Sequence, residues 1–135
     1  MKRRTLEWVQ KAEGDWAAGQ RELAVPEAAY HVVCFLAQQC AELYLKAFLE
    51  EQQTPFEKKH DLGALLDLAR GAFPELILLR SRLAELGAFG IAVRYPGPVA
   101  DRRTAEDSMA VAEAVRAAVR TRLGLSEGNE QGVPA

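Results

Sequence analysis

The residues best suited to acid–base chemistry lie around His60. Lys58 and Lys59 precede this histidine, and Asp61 follows it. Histidine titrates near neutral pH, and cations beside an expected helix start favour a bound anion. We therefore consider His60 a candidate ligand contact. The alternative interpretation is that His60 only caps or packs the turn in which it lies.

A second group of candidate residues surrounds Arg94 and Tyr95. Arg102 and Arg103 belong to the same segment, residues 94–103. Guanidinium groups bind phosphate through paired N–H donors, and a tyrosine ring can stack on a base, so this segment predicts phosphate or nucleotide contacts. The alternative is that the three arginines are solvated loop residues and that Tyr95 packs its ring on the protein.

A third set of polar residues lies on one long helix, which residues 28–49 predict. On helical spacing this segment is apolar over most of its circumference, so it must lie inside a bundle. Within the remaining polar stripe, the glutamines suit a base edge and Lys46 suits a phosphate. The same stripe can instead seal two copies of the chain against each other, which is the interpretation we favour. The stripe consists of His31, Gln38, Gln39, Glu42, Lys46 and Glu50.

The cysteines and histidines do not indicate a metal site. Cys34 and Cys40 lie on that same helix, roughly 9 Å apart along its axis, which is too far for a disulfide between them. The chain has only 2 histidines and lacks a Cys-x-x-Cys pair, so neither zinc nor another cofactor is expected. Both cysteines are predicted to be core thiols.

The composition is that of one soluble globular domain. The chain has 135 residues, of which 49% are hydrophobic and 27% charged. Its apolar runs are short for a membrane span, and its start lacks the apolar region of a secretory signal, so we expect a cytoplasmic protein without a membrane partner. The net charge of -2 does not demand a nucleic-acid partner, and any such contact must be local.

Apolar periodicity and terminal residues predict five helices, and no alternation of period two persists to predict a sheet. We therefore expect an all-α, five-helix antiparallel bundle with an up-and-down core in residues 1–124, followed by a flexible tail in residues 125–135. The predicted helices run from Thr5 to Leu23, from Pro26 and Glu27 to about Gln53, from a cap at Asp61 to Gly71, from Pro74 to the weakening glycines Gly87 and Gly90, and from a cap at Thr104 to Gly124.

The ordered set of motifs along the chain resembles the HEPN domain, a nucleotide-binding domain of higher eukaryotes and prokaryotes. The likeness covers most of the chain, and it includes the Arg-Tyr-Pro turn. It rests on Trp8, Ala12-Glu13 and Asp15-Trp16, on Tyr30, Cys34-Phe35, Ala37-Gln38-Gln39, Glu42 and Leu45-Lys46-Ala47, on His60-Asp61-Leu62 with Leu65-Leu66, and on Arg94-Tyr95-Pro96.

The resemblance implies an antiparallel helical bundle, commonly dimeric, that is often encoded beside a minimal nucleotidyltransferase of toxin–antitoxin type. Many members are metal-independent ribonucleases with an Arg-x(4–6)-His motif, whose histidine performs acid–base work. Counted from Arg94, that histidine would fall at Val99, Ala100 or Asp101, so the motif is absent. Catalytic residues are therefore not expected, and RNA binding is not favoured.

Three hypotheses follow. The first is a non-catalytic nucleotide-binding or regulatory module, in a homodimer, that acts with a separate minimal nucleotidyltransferase. The second is a diverged ribonuclease toxin that uses Arg94 with a histidine outside the motif, either His60 or a histidine from the second chain of a dimer. The third is a dimeric scaffold without a ligand.

Overall fold

The computed structural model describes residues 1–125, which form six helices and no β-strand. The predicted all-α class is confirmed, although the bundle has six helices rather than five. The tail predicted for residues 125–135 lies outside the described residues from position 126 onward. The helices are α1 (Arg3–Leu23), α2 (Tyr30–Glu51), α3 (Leu62–Leu68), α4 (Pro74–Ile77), α5 (Arg80–Ala92) and α6 (Arg102–Leu123).

Helix α2 occupies the centre of the bundle because its sequence is apolar nearly all round. By length and composition alone, it is the one helix of the described residues that could cross a membrane. However, 72% of its most apolar window is buried inside the bundle, as in the core helix of a soluble protein. Its apolar character is therefore explained by burial against the other helices.

The neighbours of α2 run in the directions expected of an up-and-down bundle. Helix α1 lies antiparallel to α2, since the Lys2 ammonium before α1 donates to the Glu50 carbonyl near the end of α2 (3.2 Å). Helix α6 runs parallel to α2, because Arg102 at the start of α6 lies over the ring of Tyr30 at the start of α2 (5.3 Å).

Helix α5 approaches α2 and the start of α3 more closely than a side chain would permit. A Cβ added at Gly90 would lie 2.5 Å from Gln38 Cβ and 3.1 Å from the Cys34 carbonyl oxygen. A Cβ added at Gly87 would lie 3.1 Å from the His60 carbonyl oxygen. The sequence analysis expected these glycines to weaken the helix. Instead they lie inside it and allow its backbone to pack closely.

The predicted start of α2 at Pro26 and Glu27 is wrong. Glu27 has φ 55°, in the left-handed region, so a helix cannot run through it. The chain turns here, and the Glu22 carboxylate accepts a hydrogen bond from the Ala29 amide (2.7 Å), immediately before α2 begins. A proline followed by an acid is common at a helix start, but in this chain it belongs to the α1–α2 turn.

The single helix predicted from Pro74 is broken into α4 and α5. The backbone of Leu79 (φ -99°, ψ 5°) is not helical and separates the two helices. Leu78 beside it is 89% exposed, while Leu76 and Leu83 are buried. Leu79 itself is partly buried and packs against the core, so apolar side chains on both sides of the break reach the core.

The predicted cap of α6 at Thr104 is also wrong. Asp101 is the cap, and its carboxylate accepts hydrogen bonds from both the amide and the hydroxyl of Thr104 (2.8 Å each). Arg102 and Arg103 therefore lie in the first turn of α6 rather than in a loop. The predicted cap at Asp61 and the stop at Gly124 are confirmed, the latter with the left-handed φ of 74°.

Replacement of Gly90 by alanine is expected to destabilise the protein by about 1 to 3 kcal/mol, because the new methyl group meets Gln38 and a backbone carbonyl. The matched control is Gly14→Ala in α1, where nothing lies within 4 Å. That substitution should stabilise the helix by up to about 1 kcal/mol. Urea unfolding followed by circular dichroism measures both changes. Equal stability of the two variants would contradict the packing described for α5.

Candidate functional site

Arg94 lies two residues after the end of α5 and is held by an aromatic ring rather than by an acid. Its guanidinium carbon lies 4.5 Å from the centroid of the Phe35 ring on α2 and 6.0 Å from that of Tyr95. Within residues 1–125 the Arg94 side chain forms neither an ion pair nor a hydrogen bond. A guanidinium on a ring face keeps its N–H donors at the edges, so those donors are available to an anion.

Tyr95 lies beside this guanidinium with its ring 60% exposed. The turn that follows is fixed in shape by Pro96 and Pro98, and Gly97 supplies a φ of 119° that other residues rarely adopt. The turn therefore presents Tyr95 to solvent next to Arg94.

Part of the polar stripe on α2 borders Phe35. His31 lies four residues before Phe35 and Gln39 four residues after it, spacings at which helical Cβ atoms are about 5 to 6 Å apart. His31 is exposed and Gln39 is partly exposed. Together with Arg94 and Tyr95, these two residues form one accessible surface, which we call the Arg94 surface.

The buried part of the stripe is organised by Glu42, which is only 2% exposed. One carboxylate oxygen accepts from Gln38 Nε2 (2.7 Å) and contacts His60 Nδ1 (2.8 Å), and the other accepts from Lys46 Nζ (2.7 Å). Burial alone raises the pKa of the Glu42 carboxyl, but the hydrogen bonds from these three partners outweigh it, so its pKa lies below the ordinary value. Glu42 is therefore a charged acceptor inside the protein.

Lys46 is a structural cation in this arrangement. Its side chain is 8% exposed, and its ammonium group lies 5.9 Å from the Trp8 ring centroid and 5.7 Å from that of Phe56. The Glu42 carboxylate and the two aromatic rings surround the ammonium group, so Lys46 is not accessible for the phosphate contact expected from the sequence. Gln38, Glu42 and Lys46 are covered by their own chain, which leaves His31, Gln39 and Glu50 as the accessible part of the stripe. Glu50 is already engaged, since its carboxylate accepts from the Trp8 indole (3.2 Å) and contacts Arg4 (3.3 Å).

His60 and Arg94 lie against different parts of α2. The His60 ring is 57% exposed and contacts Glu42, whereas Arg94 lies on Phe35. Phe35 and Glu42 are two helical turns apart, roughly 10 Å along the axis. His60 thus holds the segment before α3 against the central helix. Within one chain, His60 and Arg94 are too far apart to act on the same group.

Arg102 and Arg103 have different surroundings. The Arg102 guanidinium lies over Tyr30, donates to the Leu23 carbonyl oxygen (3.5 Å) and contacts the Glu106 carboxylate (3.7 Å). Arg102 therefore joins the start of α6 to the α1–α2 turn. Arg103 instead lines a groove between α5 and α6.

A second buried polar cluster was missed by the sequence analysis. Glu13 on α1 accepts from Arg116 Nε (2.6 Å) and Nη2 (3.0 Å) and from the Tyr44 hydroxyl, which in turn accepts from Arg120 Nη1 (3.1 Å). Burial alone raises the pKa of Glu13, but these arginine and tyrosine contacts lower it on balance. Burial, with the adjacent Glu13 charge, raises the pKa of Tyr44.

One signal for this cluster was present in the sequence. Arg116 and Arg120 are four residues apart, and each directly follows a valine of the apolar pattern in the last helix, Val115 and Val119. Two arginines at such positions require buried acceptors, because an unpaired buried charge is costly. The cluster joins α1, α2 and α6 and is structural.

The comparisons with known proteins can be placed on this geometry. A model of the HEPN domain matches residues 5–122, nearly the whole chain. No curated protein and no solved structure gives a significant match to this chain.

The chain belongs to the HEPN domain family. This family comprises nucleotide-binding and ribonuclease-type modules, and the all-helical bundle agrees with its fold. In this HEPN domain, the positions at which the nuclease histidine is expected after Arg94 hold other groups. Val99 is 84% exposed, Ala100 is partly buried, and Asp101 caps α6.

The chemistry that this arrangement supports is anion binding. The Arg94 surface offers a fixed guanidinium, an exposed ring and the amide of Gln39, without an acid–base pair held together by hydrogen bonds. Among the described residues, no group of three or more His, Cys, Asp or Glu side chains is placed to hold a metal ion.

The variant Glu42→Gln is expected to lose about 3 kcal/mol of stability at pH 7, because buried Lys46 loses its counter-ion. The lowered pKa of Glu42 means that its stabilising contribution is present above pH 4.5, the ordinary glutamate value, and is lost as the pH falls toward the folded-state pKa. The variant should therefore show a smaller loss of stability on acidification than the wild type.

Urea unfolding at several values between pH 3 and pH 7 measures both effects. The control is Glu106→Gln, an exposed acid of α6 that contacts Arg102 at 3.7 Å, which should change stability by less than about 0.5 kcal/mol. An unchanged acid dependence in Glu42→Gln would show that Glu42 is not the buried charged group described above.

Proposed function

We propose that this HEPN domain is a non-catalytic nucleotide-binding and regulatory module. The observation that carries the proposal is the placement of the Arg94 guanidinium on the Phe35 ring, without a carboxylate partner among residues 1–125. An exposed arginine is usually mobile, but this one is held by a ring, which reduces the entropy lost when it binds a phosphate.

The neighbours of Arg94 supply what a nucleotide needs besides a phosphate contact. The Tyr95 ring is exposed and can stack on a base, and the Gln39 side chain can exchange hydrogen bonds with a base edge. Gln39 Nε2 already donates to the Gln38 oxygen (2.8 Å), which orients its amide and leaves its carbonyl oxygen as an acceptor. The proposed ligand is therefore a nucleoside phosphate.

The separation of His60 from Arg94 supports a binding role over catalysis. His60 contacts Glu42 roughly 10 Å along α2 from the level of Arg94, beyond the reach of one hydrogen-bonded phosphate. We further propose that the module acts as a homodimer and regulates a separate minimal nucleotidyltransferase, in a toxin–antitoxin-like pair. The family resemblance is the support for these partners.

The variant Arg94→Ala is expected to bind nucleotides about 10- to 100-fold more weakly, since hydrogen bonds to a charged group are worth about 1.5 to 3 kcal/mol. Tyr95→Ala should lose about tenfold through lost stacking. Titration with the four ribonucleoside triphosphates, followed by the shift in unfolding temperature, measures these losses.

The control for this titration is Arg3→Ala, an exposed arginine at the start of α1, which should bind as the wild type does. Weaker binding at higher salt is expected of a phosphate contact. If all four triphosphates leave the unfolding temperature of the wild type unchanged, the proposal is wrong and the third hypothesis, a dimeric scaffold without a ligand, replaces it.

A second candidate function is a diverged ribonuclease, and one observation favours a particular histidine for it. His31 lies one helical turn from Phe35, the ring that holds Arg94, and both His31 and Arg94 are exposed. An imidazole there can exchange a proton with a bound RNA, as a general acid or base must. The geometry thus favours His31 over His60 as the histidine of this alternative.

Purified wild-type protein is expected not to cleave labelled RNA, either alone or with a minimal nucleotidyltransferase, the proposed partner, added. The assay compares it with Arg94→Ala, His31→Ala and His60→Ala, and gel filtration of the same mixtures reports whether the two proteins form a complex. Cleavage lost in Arg94→Ala and His31→Ala but kept in His60→Ala would establish the ribonuclease reading. Separate elution of the two proteins would contradict the proposed partner.

A further inference from the structure

A groove of about 470 Å³ lies between α5 and α6, on the flank of α5 away from the Arg94 surface. Gly87 and Gly90 of α5 face α2 and the start of α3. The flank of α5 that faces α6 carries longer side chains, which line the groove. The lining belongs to α5 and α6 alone.

The groove has an apolar floor. Leu86 and Val111 are 5% and 8% exposed, and the ring of Phe89 between them and solvent is partly exposed. Ser108 lies at the same depth and donates to Cys34 Sγ (3.6 Å), so its hydroxyl is already used. A ligand in this groove would therefore meet apolar atoms below and charged side chains at the rim.

The four charged side chains at the rim are arranged with the two acids between the two arginines. Because α6 runs parallel to α2 and α5 runs antiparallel to it, Arg103 lies near the Phe89 end of the groove and Arg82 near the other end. Arg82 and Phe89 are two turns apart, roughly 10 Å. Glu85 and Asp107 lie between the arginines, one on each wall.

None of these four side chains forms an ion pair or a side-chain hydrogen bond within residues 1–125. Arg103 and Asp107 are at the spacing that usually allows pairing on one helix, yet they remain apart. The rim thus offers two unpaired acids in its middle and an unpaired cation at each end. A phosphate would meet the acids, so this groove does not suit a nucleotide.

We propose that this groove binds a helical segment of a partner protein, which presents a lysine or arginine between acidic residues on an apolar ridge. The central cation pairs with Glu85 and Asp107, the flanking acids pair with Arg82 and Arg103, and the ridge packs on Phe89. Two helices with a groove between them accept a third helix by the ordinary packing of ridges into grooves. The proposal is independent of nucleotide binding, since Arg94 does not line the groove.

The test uses a labelled, alanine-based helical peptide of about 18 residues. It carries a leucine ridge, central lysines and glutamates toward both ends, and a second peptide carries the opposite charges. Fluorescence anisotropy with the full-length protein should show saturable binding of the first peptide. The double variant Glu85→Lys with Asp107→Lys should weaken that binding at least about tenfold and should bind the second peptide more tightly than the wild type does.

The matched control is Glu113→Lys, which reverses an exposed acid of α6 outside the groove and should bind the first peptide as the wild type does. Phe89→Ala should weaken binding without exchanging the peptide preference. Circular dichroism confirms that each variant is folded. Equal losses in Glu113→Lys and in the double variant, or no binding of either peptide, would overturn the proposal. Self-association of the wild type that the double variant abolishes, without peptide binding, would assign the groove to a second copy and also overturn it.

Discussion

The buried carboxylate of Glu42 holds several segments of the chain against the central helix α2. A charge inside a protein is tolerated only when hydrogen bonds and counter-charges replace its water, and here Lys46, Gln38 and His60 do so. Each partner fixes a different part of the chain. Lys46 lies over the rings of both Trp8 and Phe56. His60 holds the segment before α3 against α2. Gln38 is oriented at the point where Gly90 of α5 packs on α2.

The second buried acid, Glu13, has a comparable role on the opposite side of α2. Its bonds to Arg116 and Tyr44 join three helices that apolar packing alone would allow to slide past one another. A buried ion pair contributes little net stability after desolvation, but it does penalise every register that separates its members. The two acids therefore specify how α1, α3 and α6 are aligned on α2, because the apolar surface of α2 does not by itself favour one alignment.

The sequence was sufficient for the class of the fold because helical periodicity reports which face is buried. It was insufficient where the outcome depends on contacts between distant residues. Asp101 and Thr104 both suit a helix cap, and in the structure Asp101 takes this role by accepting hydrogen bonds from the amide and hydroxyl of Thr104. Glu42 and Lys46 were placed in a polar stripe expected to meet a ligand or a second copy, whereas both are buried within their own chain. Arg94 and Tyr95 were recognisable as neighbours, but the Phe35 ring that holds Arg94 was not recognisable from spacing.

Helix α5 separates two surfaces that use arginine in different ways. On one flank, Gly90 packs closely on α2, and Arg94, shortly after the end of the helix, lies on the Phe35 ring of α2 with its donors outward. The other flank of α5 faces the groove in which Arg82 and Arg103 share the rim with acids. An arginine isolated from carboxylates binds an anion, whereas arginines interspersed with acids bind a surface of mixed charge. Because one helix borders both surfaces, a change in the position of α5 on α2 would alter the geometry of each.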